Sequence, residues 1–526
     1  MKKAPEVFRL PAKVLILQRS NNSPAGHIHA LRGKGEIDFR LSCSGPKGAH
    51  TNISLHYREV ALKMHIMDKA TIKQLQKIVG SKNLTTAPED LLCYSYDGTN
   101  MEYPPAAVAF PANVDEVSAI MRLAAQTPFP VVPRGAGTGM SGGALPMAGG
   151  LVLAMSHLNR ILEIDLENQI AVVEPGIITG DLQAEARRYR LFYPPDPASL
   201  KFCTIGGNVA ECAGGPSAVK YGVTKDYVLG LEAVLADGRI ITTGVRTAKG
   251  VTGYDLTKLL VGSEGTLAVI TKIILKLIAL PTHKETFMIL SSSLSQATTL
   301  VAKILAGHLP CTLEYMDRTA LKIVSPLLPF PLPAETEALL LLEVDGERDE
   351  VTIQSRRLRD FLHGQPDLLA VRQAETPEEV KALWTARRSI SPAAFNLKPD
   401  KTSEDVVVPR SRIPELVACT ERLALELDLT IFTFGHAGDG NIHVNIMFDK
   451  KNRREVESSA VAREKLFKEV LRLGGTLSGE HGIGITKSAF LAQEIDHDTL
   501  TLMQDIKKLF DPQNILNPGK IFPQSP

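Results

Sequence analysis

The chain lacks the cysteine spacing of a metal–sulfur protein. None of its six cysteines forms a CxxC pair, and their positions are Cys43, Cys93, Cys203, Cys212, Cys311 and Cys419. This spacing argues against an iron–sulfur cluster or a cysteine-ligated zinc ion within this chain. In a reducing compartment the six residues are expected to be free thiols.

The chain also lacks a long apolar run and an excess of charge of one sign. No run approaches the roughly 18 residues of a membrane-spanning helix. After the basic start, the first apolar run is only Val14–Leu17, too short for the core of a signal peptide. Lys+Arg 59 and Asp+Glu 58 nearly cancel, so bulk electrostatics gives no reason to expect a nucleic-acid partner. A cytoplasmic protein with no transmembrane segment is therefore predicted.

What the chain does have is the composition of a large globular protein. Its residues are 44% hydrophobic and 22% charged, as in soluble globular proteins. At 526 residues the chain is too long for one core. Residues 1–66 show weak periodicity and are predicted to be an extension, disordered or produced by a start codon assigned too early. From Met67 the pattern changes, and Asp68 is predicted to cap a helix. Residues 67–280 and 281–526 are predicted to be two domains.

The two predicted domains differ in their pattern of strands and helices. In the first, the predicted helix is Val114–Ala125 and the predicted strands are Phe129–Val132, Leu151–Met155, Ile170–Val173, Val228–Leu235, Ile240–Thr243 and Leu267–Leu277. In the second, strands Thr312–Met316 and Ala338–Val344 alternate with helices Ser295–Leu305 and Val351–His363, and helix Leu500–Leu509 follows near the end. This order favours an antiparallel sheet covered on one face by helices, a ferredoxin-like α+β arrangement.

A glycine-rich segment, Pro133–Gly143, follows a short predicted strand. Gly137, Gly139 and Gly142 formally make a GxGxxG, but Pro146 would lie about one turn into the required helix and lacks its N–H. The segment is therefore predicted to be a loop between strands. Its successive backbone N–H groups can form a nest for a cofactor pyrophosphate. The alternative, a flexible linker, is disfavoured because apolar strands anchor both ends.

Three further polar or glycine-rich segments are predicted to be loops: Thr204–Ala210, Gly214–Ser217 with Tyr221-Gly222, and Gly262–Thr266. The first follows a proline-rich stretch that contains Asp196. Four such loops in one domain indicate a long ligand in an extended groove. A dinucleotide fits such a groove better than a mononucleotide does.

Two histidines flank a tight turn in Gly435–His443. If Asp439-Gly440 is a two-residue hairpin loop, His436 faces His443 and the two imidazoles can share one metal ion. Asn445, two residues further on, lies on the same face. A third ligand is expected in Ser478–Gly482, and two histidines with one carboxylate leave open positions for a substrate. The alternative is a hairpin with ordinary, partly buried histidines.

Together these segments resemble a known family. Pro133–Gly143, Thr204–Ala210 and Gly262–Thr266 resemble the FAD-binding domain of the vanillyl-alcohol-oxidase type. The histidine hairpin and Glu480-His481 resemble its branch of flavin-binding glycolate oxidase subunits, D-lactate dehydrogenases and D-2-hydroxyglutarate dehydrogenases. The resemblance covers about residues 67–523. It implies an α+β fold, with a two-part FAD-binding domain and a ferredoxin-like C-terminal cap.

The resemblance also implies a set of site residues. A divalent metal, Zn or Mn, is expected on His436, His443 and Glu480, with His481 as the base. Arg387 and Lys401 are expected to bind carboxylate, and Asn445 completes the predicted catalytic group. No His or Cys occurs in the glycine-rich loop, so the FAD is expected to be noncovalent. The residues predicted to contact it are Pro133, Arg134, Gly135, Gly137, Thr138, Gly139, Ser141, Gly142, Gly143, Asp196, Thr204, Gly206, Gly207, Asn208, Gly214, Ser217, Tyr221, Gly222, Glu264, Gly265, Val269 and Ile270.

The function predicted on this basis is oxidation of a small D-2-hydroxy acid, D-lactate or glycolate, to the 2-oxo acid. Since the chain has no iron–sulfur ligands, the electrons need an external acceptor, an iron–sulfur subunit or an electron-transfer flavoprotein, which could hold the enzyme at the membrane periphery. The alternatives are a D-2-hydroxyglutarate dehydrogenase, a flavin-binding electron-transfer subunit without its own catalysis, a metal hydrolase without flavin, and an alkyl-transfer synthase of the same superfamily.

Overall fold

The structure, a computed structural model, describes residues 27–33, 36–42, 67–365 and 368–523. Contacts divide the chain into two units, residues 1–66 and 67–526. In the first unit, β1 (His27–Gly33) and β2 (Glu36–Ser42) pair as an antiparallel hairpin. The rest of residues 1–66 lies outside the described residues. The prediction that this segment is disordered, or results from a start codon assigned too early, falls on it.

The second unit contains the remaining elements. Its strands are β3 (Leu84–Thr85), β4 (Ala107–Ala109), β5 (Val131–Arg134), β6 (Leu151–Ala154), β7 (Ile161–Asp165), β8 (Ile170–Val173), β9 (Leu191–Phe192), β10 (Val228–Val234), β11 (Ile240–Gly244), β12 (Val269–Lys276), β13 (Ile278–Ala279), β14 (His283–Ser291), β15 (Thr312–Asp317), β16 (Ala338–Gly346), β17 (Leu368–Gln373), β18 (Asp400–Val407), β19 (Thr430–His436) and β20 (Asn441–Phe448). Its helices are α1 (Lys69–Val79), α2 (Pro88–Cys93), α3 (Val114–Gln126), α4 (Thr179–Arg188), α5 (Ile205–Glu211), α6 (Ala218–Tyr221), α7 (Thr224–Tyr227), α8 (Leu256–Leu260), α9 (Leu294–Gly307), α10 (Arg318–Val324), α11 (Arg348–His363), α12 (Pro377–Ala393), α13 (Ile413–Leu427), α14 (Arg453–Arg472), α15 (Leu491–Glu494) and α16 (His497–Phe510).

The first half of this unit is built on two sheets. In the four-stranded sheet β3-β4-β6-β5, β6 pairs parallel with both β4 and β5. The five-stranded sheet β11-β10-β12-β8-β7 is antiparallel. Helices α1 and α3 bury their apolar faces on the first sheet, as helical spacing of apolar residues requires. Asp68 caps α1 by accepting from the N–H of Thr71, so the predicted cap is confirmed.

Three of the four segments predicted to be loops, Pro133–Gly143, Gly214–Ser217 and Gly262–Thr266, contain no helix, and the fourth is an error. The structure describes every residue between β5 and β6, and no helix begins there, so the prediction of a loop is confirmed. The prediction that Thr204–Ala210 is a loop is wrong. Thr204 caps helix α5 by accepting from the N–H of Gly207. The two glycines made the segment look like a loop, but the cap and the buried packing of Ile205 and Val209 outweigh their low helix propensity.

The second half is one seven-stranded antiparallel sheet in the order β17-β14-β16-β15-β19-β20-β18. Alternate residues of its strands enter two different cores. One core packs α9, α11, α13 and α14 on one face, and the other packs α10 and α12 on the opposite face. The α+β class is confirmed, but the prediction of helices on a single face is wrong. The strands are buried on both faces, so the alternation of polar and apolar residues that marks a single covered face is weak in them.

The C-terminal segment returns to the first sheet. Ile515 and Leu516 are buried in the core beneath α1 and α3, and the carbonyl of Ile515 accepts from the N–H of Val131 in β5. The domain boundary at residue 280/281 stays a prediction. The C-terminal segment lies after that boundary but packs into the core of the residues before it. Among the described residues, no helix combines the length and apolarity needed to cross a bilayer.

Candidate functional site

A large cleft runs from the glycine-rich loop to the histidine hairpin. Its volume is about 390 Å³, which lies within the range of small-molecule and cofactor sites. The first half of the unit contributes the glycine-rich loop and α5, and the second half contributes side chains from the large sheet, from α12 and from the loop of Glu480 and His481. Those second-half residues are Lys284, Thr312, Glu343, Trp384, Arg387, Arg388, Ser391, Ser403, Phe434, His436, His443, Glu480 and His481.

Glycines in the first half of the cleft let two backbone segments approach closely. Gly137 has φ +68°, and a Cβ there would overlap the guanidinium of Arg134. A Cβ on Gly206 would lie 2.5 Å from the Cβ of Pro175. Arg134 itself is buried and donates to the carbonyls of Tyr96 and Ala144, which fixes the loop. The result is a rigid backbone cradle that suits an extended phosphate-containing ligand.

Most residues predicted to contact the cofactor line this cleft. Those that do are Pro133, Arg134, Gly135, Gly137, Thr138, Gly139, Gly143, Asp196, Thr204, Gly206, Gly207, Asn208, Glu264, Gly265, Val269 and Ile270. The others lie behind the lining or at its edge, and they are Ser141, Gly142, Gly214, Ser217, Tyr221 and Gly222. Ser217, for example, donates through its hydroxyl to Asp196, so it supports a lining residue.

The histidine hairpin has a different register from the predicted one. His436 pairs with Asn441 and Phe434 pairs with His443, so the loop contains four residues, Ala437–Gly440. The prediction that His436 directly faces His443 is wrong. Because the error is two residues, the side-chain parity is unchanged, and the imidazoles are diagonal neighbours with ring centroids 5.2 Å apart.

Three imidazoles surround the carboxylate of Glu480. Its Oε1 lies 3.4 Å from His436 Nε2, 3.8 Å from His443 Nε2 and 4.0 Å from His481 Nε2. Donor atoms of Asp405, His443, Glu480 and His481 also lie within 4.8 Å of one another. That group contains the predicted ligands His443 and Glu480 but not His436, and its nitrogen and carboxylate donors fit a divalent transition metal.

Buried carboxylates stand behind two of these imidazoles. His436 Nδ1 lies 2.6 Å from Glu314 Oε1, and His443 Nδ1 lies 3.6 Å from Asp405 Oδ1. A carboxylate on the far nitrogen orients a metal-binding imidazole. Burial lowers the pKa of His436, but Glu314 and Glu480 outweigh burial and hold that pKa well above its usual value. Burial, reinforced by the His436 cation, lowers the pKa of His443.

Arg387 reaches the same sheet face from α12. Its Nη2 lies 2.5 Å from Glu314 Oε2, and its Cζ lies 4.6 Å from the ring centroid of Phe434. Its Nη2 is paired with that carboxylate, whereas its buried Nε has no hydrogen-bond partner. Arg387 also lines the cleft, where a guanidinium can bind a carboxylate.

Two predicted catalytic residues do not line the cleft. Lys401 Nζ donates to the hydroxyl and carbonyl of Ser391, and burial lowers its pKa to about 8. Asn445 is fully buried and accepts from the hydroxyl of Ser403. Ser391 and Ser403 do line the cleft, so both predicted residues stand one side chain behind its surface.

Two carboxylates hold the loop that carries Glu480 and His481. Asp405 Oδ2 accepts from the N–H groups of Gly479, Glu480 and His481 at 2.9–3.0 Å. Glu264, from the first half of the unit, accepts from those of Ile483 and Gly484. Burial raises the pKa of Asp405, but His481 and Lys487 outweigh it and hold that pKa well below its usual value.

Glu314 and Asp405 are the site residues that the sequence analysis missed. Glu314 is an acid inside a largely apolar strand, where a buried charge requires a partner, whereas Asp405 follows a run of polar residues in β18 and gives no such signal. This signal was available in the predicted strand Thr312–Met316. Glu211 was missed as well. It lines the cleft at the C-terminal end of α5, in the region where a loop was predicted.

The comparisons with known proteins agree with this geometry. The family model described as "FAD linked oxidases, C-terminal domain" matches residues 280–521, and the one described as "FAD binding domain" matches residues 105–244. The chain is 43% identical over 459 residues to glycolate oxidase subunit GlcD of Bacillus subtilis, covering 87% of this chain and 97% of that protein. It is 36% identical over 436 residues to a D-lactate dehydrogenase of Anaerostipes hadrus, covering 79% and 89%.

Solved structures add the likeness in fold. A p-cresol methylhydroxylase superposes with a TM-score of 0.72 at 17% identity, covering 86% of this chain and 96% of that one. An alkyldihydroxyacetonephosphate synthase superposes with a TM-score of 0.69 at 16% identity, covering 94% and 97%. At these identities the likeness concerns the fold alone, and it confirms the vanillyl-alcohol-oxidase type of fold.

Proposed function

The chain belongs to the family of FAD-linked oxidases, and from that membership we propose that it oxidises a small D-2-hydroxy acid, D-lactate or glycolate, to the 2-oxo acid. One observation carries the proposal. Arg387, whose buried Nε lacks a hydrogen-bond partner, lines the same end of the cofactor cleft as His436, His443, Glu480 and His481. A 2-hydroxy acid presents a carboxylate and a hydroxyl on adjacent carbons, and these groups match a guanidinium beside a metal-type cluster.

Each residue has a proposed task in the reaction. Arg387 binds the substrate carboxylate and is held in position by Phe434 and Glu314. His436, His443 and Glu480 would hold a divalent ion, Zn or Mn, which would supply a Lewis acid for the 2-hydroxyl. His481 takes the hydroxyl proton, since imidazole is the side chain that most often acts as a general base. FAD, when bound, supplies the acceptor for the hydride equivalent from Cα.

The family membership and the contacts of the cleft cations bear differently on the alternative functions. A hydrolase without flavin conflicts with membership of a family of FAD-linked oxidases. A D-2-hydroxyglutarate dehydrogenase needs a cation for a second carboxylate. Lys401 donates to Ser391, and Lys284, although in the cleft, lies 2.9 Å from Glu343. Both lysines are therefore already engaged, but Arg388 also lines the cleft, so the D-2-hydroxyglutarate alternative keeps a candidate cation.

The electron acceptor is proposed to be a separate protein. Two relatives, from Bacillus subtilis and Escherichia coli, carry names that describe one subunit of glycolate oxidase. We propose an iron–sulfur subunit or an electron-transfer flavoprotein as the acceptor of this enzyme as well. A cytoplasmic location stays a prediction.

The test of the proposal is reduction of the bound flavin without oxygen. Purified protein is mixed anaerobically with glycolate, D-lactate, L-lactate or D-2-hydroxyglutarate, and bleaching of the flavin is followed. Glycolate or D-lactate should bleach it, and L-lactate should not. Arg387→Met, with normal flavin content, should not be bleached at the same concentrations. If no 2-hydroxy acid bleaches the flavin of the wild type, the proposed reaction is wrong.

A further inference from the structure

Glu314 contacts both the proposed carboxylate-binding residue and a proposed metal ligand. Its Oε1 lies 2.6 Å from Nδ1 of His436, and its Oε2 lies 2.5 Å from Nη2 of Arg387. The Glu314 side chain is completely buried. One rigid carboxylate group therefore bridges two functional groups that come from different elements.

The fold fixes this bridge from three directions. Glu314 lies in the middle of β15, between Leu341 of β16 and the neighbouring strand β19. The β15–β19 register pairs Tyr315 with Gly435, and one step further brings Glu314 opposite His436. Arg387 descends from α12, whose buried residues pack on the same sheet face. Neither the strand nor the helix can shift without disturbing a closely packed core.

The bridge sets the orientation of both groups. Because Glu314 lies at Nδ1 of His436, the Nε2 atom of that ring is directed toward Glu480. Glu314 and the ring of Phe434 engage two sides of the Arg387 guanidinium, and Arg387 lines the cleft. The distance between the guanidinium and the imidazole Nε2 is thus determined by one carboxylate.

We propose that Glu314 is a positioning residue that makes the site selective for a hydroxyl on the carbon next to the carboxylate. This inference rests on the proposed function. In a 2-hydroxy acid the two groups are one carbon closer than in a 3-hydroxy acid. A fixed spacing between guanidinium and metal cluster suits only one of these, because catalytic geometry tolerates displacements of well under 1 Å.

The first variant to test is Glu314→Gln. Glutamine keeps the shape but has one acceptor oxygen, whereas His436 Nδ1–H and Arg387 Nη2–H are both donors. One of the two must lose its partner and turn. The probes are the isomers D-lactate and 3-hydroxypropanoate, compared by anaerobic flavin reduction in FAD-loaded protein. We expect kcat/KM for D-lactate to fall by about 10–100-fold. The ratio of kcat/KM for D-lactate to kcat/KM for 3-hydroxypropanoate should fall at least about tenfold, with FAD content unchanged.

The matched control is Glu404→Gln. Glu404 is also a buried glutamate of the large sheet paired with an arginine, since its Oε1 lies 2.6 Å from Arg463 Nε. It lies on the opposite face, away from the cleft, because its β20 partner Val444 belongs to the other core. We expect this variant to lose stability but to keep the wild-type ratio between the two isomers.

A second variant covers the case in which Glu314→Gln does not fold. Glu314→Asp keeps the charge and both acceptor oxygens but withdraws them by one methylene, so it should fold and still narrow the preference. If either folded variant keeps the wild-type KM and isomer ratio, or if Glu404→Gln narrows the ratio equally, the proposed role of Glu314 is wrong. If instead the wild type is bleached by neither isomer and by no other 2-hydroxy acid, the proposed function itself has failed.

Discussion

Glu314, Asp405 and Glu480 are three carboxylates packed around two buried imidazoles. Glu314 and Asp405 stand behind the rings, while Glu480 stands between them. Burial raises the pKa of Glu314, but Arg387 and His436 outweigh it and lower that pKa below its usual value. A charge cluster of this kind is costly to bury unless each member is paired. Its presence in the core therefore indicates a functional site.

The metal is the first prediction at the scale of single residues. His436→Ala should reduce turnover at least about 100-fold, because the 2-hydroxyl loses its Lewis acid, while FAD content stays near wild type. A chelator should have the same effect on the wild type, and Zn²⁺ or Mn²⁺ should restore it. Metal content and rate are measured together. His308→Ala, which removes a histidine that packs on Phe361, is the control and should change neither.

His481→Ala should give a different result from His436→Ala. Its proposed role is proton transfer, so the variant should keep its metal while losing catalysis. If active enzyme contains less than one metal ion per chain and chelation leaves the rate unchanged, the histidines are structural. The chemistry would then depend on side chains alone.

The attachment of the flavin is a second prediction at this scale. Acid precipitation should release all of the FAD, since the glycine-rich loop contains neither His nor Cys. Cys203 does line the cleft, with its Sγ 3.3 Å from the hydroxyl of Thr179. The supernatant and pellet are compared for wild type and Cys203→Ser. Flavin that remains on the wild-type pellet but not on the variant would identify Cys203 as an attachment point.

Among the elements, local sequence patterns predicted those strands and helices whose bounds depend on apolar periodicity and on capping residues. Strand β8 has the predicted bounds, and α3 and β10 differ by a single residue at one end, because apolar period and capping act locally. The hairpin register was wrong because Asp-Gly also fits a four-residue loop. Helix α5 was missed because its packing overrides two glycines. Both errors concern the elements that build the site.

The loop of Glu480 and His481 gives a prediction at this scale. Asp405→Asn weakens three charge-assisted bonds to the loop backbone and should lower the free energy of unfolding by about 1–3 kcal/mol. Because the pKa of Asp405 is held below 3.8, the stabilising charge is present above that pH and is lost only as the pH falls through the lower folded value.

Thermal unfolding of FAD-loaded protein at several pH values measures this effect. The difference in melting temperature between wild type and Asp405→Asn should stay constant from pH 8 to pH 5 and should shrink below pH 3.8. A difference that already disappears between pH 7 and pH 6 would mean that another group holds the loop.

At the scale of the whole molecule, the cleft lies between two halves that the chain connects repeatedly. Glu264 of the first half accepts from the Ile483 and Gly484 N–H groups of the second, and Lys220 Nζ contacts Asp345 at 2.5 Å. The C-terminal residues Ile515 and Leu516 return to the first core. Flavin cleft and histidine cluster are therefore parts of one folded unit, residues 67–526.

The division of the chain gives the last prediction. A variant that begins at Met67 should fold, bind FAD and turn over like the full chain, because residues 67–526 form a compact unit with their own cores. Expression, FAD stoichiometry and kcat are compared with those of the full chain. Loss of solubility or of flavin in the shortened variant would show that residues 1–66 have a structural role.

The residue types of the site and the parity of its strands follow from the amino-acid sequence alone. Glycines without a following helix indicated the cofactor cradle, and the alternation of the hairpin kept His436 and His443 on one face despite an error of two residues. Which of these groups meet depends on how distant segments pack in the folded chain. Glu314, Arg387 and His436 lie on β15, α12 and β19, and contacts between distant segments depend on packing that no local pattern encodes. For the same reason, Lys401 and Asn445 could be assigned to the right neighbourhood but not to the surface of the cleft.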